Sequence, residues 1–249
     1  MAKESKYSPV LLFVISVALL MEGSIWPLFP IGIFFGFAPL FALTDRVNNT
    51  ENVWERMEWV LIALAIYFFL AFGFDLSLIV HSMVYAIVFT IPFIGYVWVR
   101  QTLGDRVGKI IIILFWLALE YGIYKIFPDR SQFLTDILSR YTDWMQWNIY
   151  TGFMGGSLWI LMVNLIAYYL FFSEQPFKWY WIVLAIVFLA GPIAYSFILD
   201  YHPIVRSDMF TTSKDVTYLA NGEVTGRTAA WISVLILLYA FVKSQTKQR

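Results

Sequence analysis

Eight long apolar stretches dominate this chain, at roughly 8–22, 25–43, 58–74, 77–98, 109–127, 155–173, 178–199 and 228–243. A helix needs about 20 mainly apolar residues to cross a bilayer, and these stretches reach or approach that length. In lipid, every backbone N–H and C=O must be satisfied inside the protein, so helices are the natural spanning elements. The reading is an all-α integral membrane protein: one transmembrane domain over 1–249, built as a bundle of about eight transmembrane helices. Spans one and two are split only by Met21, Glu22, Gly23 and Ser24. Spans three and four are split only by Gly73, Phe74 and Asp75. Each pair reads as a helical hairpin.

Composition narrows the function classes. The chain is 60% hydrophobic and 14% charged, against about 45–50% and about 25% for a soluble domain. Net charge is zero, so there is no basic footprint for nucleic acid. There is no cysteine, which removes a thiol nucleophile, a disulfide and thiolate metal sites. The two histidines, His81 and His202, are far apart and have no metal-ligand spacing. No cofactor is implied.

Orientation follows from Lys and Arg. With a cytoplasmic N-terminus, one face carries Lys3, Lys6, Arg46, Arg56, Arg100, Arg106, Lys109, Lys178, Lys243, Lys247 and Arg249. The other carries Lys125, Arg130, Arg140, Arg206, Lys214 and Arg227. The count is 11 against 6, so both termini are expected in the cytoplasm of a bacterial inner-membrane protein. The first span has Lys3 and Lys6 before its apolar core, but Glu22, Gly23 and Ser24 after it do not fit a signal-peptidase site. It reads as an uncleaved helix. Two outward loops remain, 128–154 and 200–227. In the first, Leu134, Ile137, Leu138, Tyr141, Trp144 and Met145 recur at helical spacing, which predicts an amphipathic surface helix. The second is polar and shows no helical period.

Ionisable groups within membrane spans are costly and are candidates for function. Glu22, His81, Glu120 and Lys125 fall in the outer half of the predicted bilayer, and Asn164 near its middle. Each also has a plain reading. Glu22 lies in a turn and can face headgroups. His81 can be a neutral packing residue, and Asn164 can bond between helices. Glu120 can likewise hydrogen-bond between helices; it follows Trp116 by one turn and precedes Lys125 by five residues, a spacing that aligns poorly on a helix. Trp26, Trp98, Trp147, Trp159, Trp179, Trp181 and Trp231 sit near span ends, where interfacial anchoring is expected. The candidates for lipid or partner binding are Glu120, His81, Asn164, Trp116, Trp159 and Glu22; there is no catalytic candidate.

Four segments together resemble the membrane domain of apolipoprotein N-acyltransferases. They are EGSIWPLFPIGIFFGFAPLFAL (22–43), FWLALEYGIYKIFP (115–128), YTGFMGGSLWILMVNLIAYYLFF (150–172) and GEVTGRTAAWISVLILLYAFVK (222–243). Trp116, Glu120, Phe127 and Pro128 match in the second, Gly155, Trp159 and Asn164 in the third, and Gly226, Arg227 and Thr228 in the fourth. The resemblance covers nearly the whole chain. It implies eight helices and, in the family, a periplasmic nitrilase-like domain inserted between helices seven and eight. That domain works with a Glu-Lys-Cys set, through a thioester on the cysteine. Here the interval is Asp200 to Arg227, 28 residues, where such a domain needs on the order of 200. Lys214 and Glu223 are present, but nothing assigns them the catalytic roles.

The family mechanism is therefore closed to this chain alone. The leading expectation is a non-catalytic relative, a lipid- or lipoprotein-binding or scaffold subunit of an inner-membrane assembly. Its partners would be membrane phospholipid and an envelope protein, a lipoprotein among the options. One alternative is the membrane half of a split acyltransferase whose nitrilase-like domain is a separate chain. Another is a small transporter using Glu22, His81, Glu120 and Asn164, although the spans carry few central charges.

Overall fold

The computed structural model describes residues 7–25, 30–44, 53–72, 75–104, 107–127, 133–173, 178–199 and 216–247. Every regular element among them is helical. In chain order these are α1 (Pro9–Ile25), α2 (Ile33–Gly36), α3 (Ala38–Leu43), α4 (Val53–Ala71), α5 (Ile79–Leu103), α6 (Ile110–Ile126), α7 (Asn148–Thr151), α8 (Gly155–Ala167), α9 (Tyr180–Ile198) and α10 (Val216–Lys247). Short 3-10 turns lie at Leu76–Leu78, Leu134–Arg140 and Thr142–Trp144, and a π-helical turn at Tyr168–Phe172 continues α8. Among the described residues, four helical segments are long and apolar enough to cross a membrane: Leu76–Leu103, Gly155–Phe172, Tyr180–Ile198 and Ala220–Thr246. Pro9–Gly23 and Ile33–Leu43 are apolar but shorter.

The chain forms two compact units, Met1–Ile112 with Ala167–Phe177, and Ile113–Ile166 with Lys178–Arg249. In the first, α1 packs on α2, α3 and α4, and α4 on α5. Lipid tails are as apolar as leucine, so close packing and hydrogen bonds hold such helices together. Glycine permits the closeness. A Cβ at Gly23 would stand 2.7 Å from the backbone nitrogen of Ile33, and one at Gly36 2.6 Å from the Leu20 side chain. Ser16 Oγ donates to the Gly36 carbonyl at 2.6 Å across the same contact. The second predicted span is broken here into α2 and α3, with Phe37 between them. Pro39 lies in the first turn of α3, where its missing N–H costs least.

The second unit contains α7, α9, α10 and most of α6 and α8. Residues 216–227, assigned above to a loop, are the first turns of the 32-residue α10. Their polarity hid the helix from a hydropathy reading. Gly222 and Gly226, four residues apart on one face, bring α10 against Phe153, Met154 and Tyr121, where a Cβ would clash. The expected surface helix over 134–145 is instead two 3-10 turns. Phe133, Leu134, Leu138 and Met145 are buried, so its apolar residues turn into the protein. Asp136 Oδ2 accepts from the Phe133 N–H at 2.9 Å and fixes the first turn.

Two glycines separate packing from propensity. Gly222→Val should lower the thermal unfolding temperature in detergent, costing about 1–3 kcal/mol by overpacking against Phe153. Gly191 in α9 has no atom within 4 Å of a built Cβ, so Gly191→Ala should be neutral or stabilising by up to about 1 kcal/mol. Equal behaviour of the two variants would contradict the close α10 contact.

Candidate functional site

The polar residues gather around α6. Trp116 and Glu120 stand one turn apart, and both are about 1% exposed. Trp116 Nε1 donates to Glu120 Oε1 at 3.0 Å. The same oxygen accepts from the backbone N–H of Leu134 at 2.9 Å. Glu120 thereby ties α6 to the 3-10 turn that follows Phe133. The Ser157 hydroxyl lies beside the carboxyl, as does the charge of Asp136. Ser157 Oγ also accepts from the Thr135 N–H at 3.2 Å. Gly156, just before Ser157, allows this approach, because a Cβ there would strike the Thr135 side chain. The cluster therefore spans α6, the 133–136 turn and the first turn of α8. Glu120 Oε2, Thr135 Oγ1 and Asn148 Nδ2 are buried with no hydrogen-bond partner among the described residues.

Trp159 has a task that the sequence did not announce. Pro192 sits inside α9 and has no N–H to give the carbonyl four residues earlier, that of Phe188. Trp159 Nε1 donates to that carbonyl at 2.6 Å. The indole is buried and meets Trp147 edge-on, with centroids 5.8 Å apart. Trp159 thus pairs the α9 carbonyl that Pro192 leaves free, and it is buried against Trp147. Nearby, Ser196 Oγ donates to the Trp144 carbonyl at 2.8 Å. Asn221 and Thr225 on α10 donate to the carbonyls of Ile149 and Thr151.

The other candidates do not join the Glu120 cluster. Asn164 is buried, and its Nδ2 donates to Ile160 O on its own helix at 2.9 Å. Glu22 belongs to α1, where Oε2 accepts from Gly32 N at 2.5 Å and closes the hairpin turn. His81 lies on the exposed side of α5. Glu22 and His81 belong to the first unit, Glu120 to the second. Trp179 and Trp231 are exposed, as interfacial residues would be. Trp26, His202 and Lys214 lie outside the described residues.

Three charged residues proved more structural than the sequence indicated. Lys109, counted above as a topology charge, is 3% exposed. Its Nζ donates to Phe41 O at 2.8 Å and to Thr44 Oγ1 at 3.0 Å. It also stands 5.0 Å from the ring centroid of Tyr96 and 4.5 Å from that of Tyr168. A cation at the carbonyl end of α3 is favoured by the helix dipole, and the rings add cation–π attraction. Lys125 bonds Glu223 of α10, which explains why its awkward spacing from Glu120 does not matter. No group of three or more His, Asp or Glu side chains comes together among the described residues.

A double-mutant cycle tests this pairing. Trp159→Phe should cost about 1–3 kcal/mol by leaving the Phe188 carbonyl unpaired. In a Pro192→Ala background the restored N–H at residue 192 takes that carbonyl, and most of this cost should vanish. Equal costs in both backgrounds would show that the indole acts by packing alone. No family model, curated protein or solved structure matches this chain.

Proposed function

We propose that this chain is a non-catalytic inner-membrane subunit that binds lipid or lipoprotein on a frame resembling the membrane domain of apolipoprotein N-acyltransferases. The observation that carries the reading is the interval between α9 and α10. Only residues 199–215 separate them, far short of the roughly 200 residues of a nitrilase-like domain. No cysteine exists anywhere in the chain to form a thioester. The segments that carry the resemblance include close contacts of the second unit, at Trp116, Glu120, Trp159 and Gly226. This supports a kept frame without a kept reaction. The eight-span count, with both termini in the cytoplasm, belongs to the same reading.

In this account phospholipid acyl chains lie along the exposed apolar sides of α9 and α10. An envelope partner, a lipoprotein among the options, meets the chain at its outward segments. Function belongs to the site and not to the fold, so acyl transfer is not carried over.

Two measurements bear on this. The absence of cysteine makes single-cysteine labelling direct: Ser77→Cys should react with an impermeant maleimide from outside the cell, and Gln245→Cys only after permeabilisation. The opposite pattern would overturn the orientation. The purified protein should retain phospholipid yet transfer no acyl group to a lipopeptide and carry no ions across liposomes. Either activity, found with the protein alone, would sink the proposal.

A further inference from the structure

Where α6 ends, beside the first turns of α10, two cations share one carboxylate. Lys125 Nζ bonds Glu223 Oε1, and Arg227 Nη2 stands 3.9 Å from Glu223 Oε2. The two positive charges are thus gathered within reach of one small anion. Two cations against one carboxylate leave the cluster with an excess of one positive charge. Lys125 is further held over the rings of Tyr121 and Tyr124, 5.7 and 5.6 Å from their centroids. Arg227 is held far less. Its guanidinium carries five N–H donors, its side chain is 56% exposed, and its 3.9 Å approach to Glu223 is beyond hydrogen-bond range. A guanidinium suits phosphate, which it meets with two parallel hydrogen bonds.

The rest of α10 indicates which phosphate. Gly222, Gly226, Ala229, Ser233 and Ala240 are buried along one side of the helix. The opposite side carries Arg227, Trp231, Leu235 and Leu238, at steps of four, four and three residues that keep them in line. Trp231, Leu235 and Leu238 are 65%, 62% and 55% exposed. From Arg227 to Leu238 the helix rises about 16 Å, near half of a hydrocarbon layer of roughly 30 Å. A cation, then an indole, then aliphatic side chains match a headgroup, the interface below it and the depth of one leaflet. Glu223 is already bound to Lys125, which makes it a poor partner for a headgroup ammonium. We propose that Lys125 and Arg227 hold the phosphate of one anionic phospholipid, of the phosphatidylglycerol kind, whose acyl chain lies along Trp231, Leu235 and Leu238. A zwitterionic phosphatidylethanolamine brings no net charge to offset the excess. This inference rests on the lipid reading above and names the headgroup that the reading left open.

The test is native mass spectrometry of the purified full chain, exchanged into mixed micelles holding equal amounts of phosphatidylglycerol and phosphatidylethanolamine. The net charge of the chain is zero, so bulk attraction gives no preference of its own. The expected result is about fivefold more phosphatidylglycerol than phosphatidylethanolamine in the first lipid retained, the scale of one basic residue at an anionic lipid. Arg227→Gln should remove most of that preference while total lipid stays the same, and Lys125→Gln should lower it as well. Lys178→Gln, a basic residue with no part in the cluster, should leave it intact. Should one of the two cluster variants fail to fold, the other decides the matter. Equal retention of the two lipids, or a preference that survives loss of either cluster cation, would overturn the site and leave the proposed function standing. A chain that retains no phospholipid of either kind would overturn both.

Discussion

A peptide carbonyl in a hydrocarbon layer has no water to turn to, and much of this structure follows from that constraint. Regular helix satisfies most carbonyls. Where a helix is broken or ends, a side chain from another element takes the carbonyl left over. Pro192 frees Phe188 O, and Trp159 collects it. The close of α3 leaves Phe41 O, and Lys109 collects it. Around α7, Ser196, Asn221 and Thr225 do the same for Trp144, Ile149 and Thr151. These bonds join segments distant in sequence, so they also fix the fold inside each unit.

Small residues supply the second requirement. Helices bonded side chain to backbone must stand close, and glycine lets them. Gly36 admits the Ser16 hydroxyl to its own carbonyl, and Gly156 admits Thr135 to the first turn of α8. Gly222 and Gly226 seat α10 against Phe153 and Met154. In lipid such contacts replace the hydrophobic effect as the source of cohesion. The Gly156 contact also seats the 133–136 turn, whose Leu134 N–H bonds Glu120.

Part of this was legible in the sequence. The Trp116–Glu120 pair could be read from its one-turn spacing, because both ends of the bond lie on one helix. The helical hairpin at Glu22 was visible, but its bond to Gly32 was not, since it depends on the turn geometry. Lys109 looked like a charge counted for orientation; only three-dimensional packing brings Tyr96 and Tyr168 to it. The start of α10 was hidden because its helix is held by Lys125, Phe153 and the residues of α7, and not by an apolar period. For Trp159, the signal was Pro192 and its orphaned carbonyl. Nothing in one sequence says which donor will find it.

The measurement closest to the central claim is affinity purification from native membranes in mild detergent, read by mass spectrometry for both proteins and lipids. The account predicts bound phospholipid together with an envelope protein or lipoprotein, and no acyltransferase chain. A nitrilase-like chain recovered in equal amount would contradict it and make this protein the membrane half of a split enzyme.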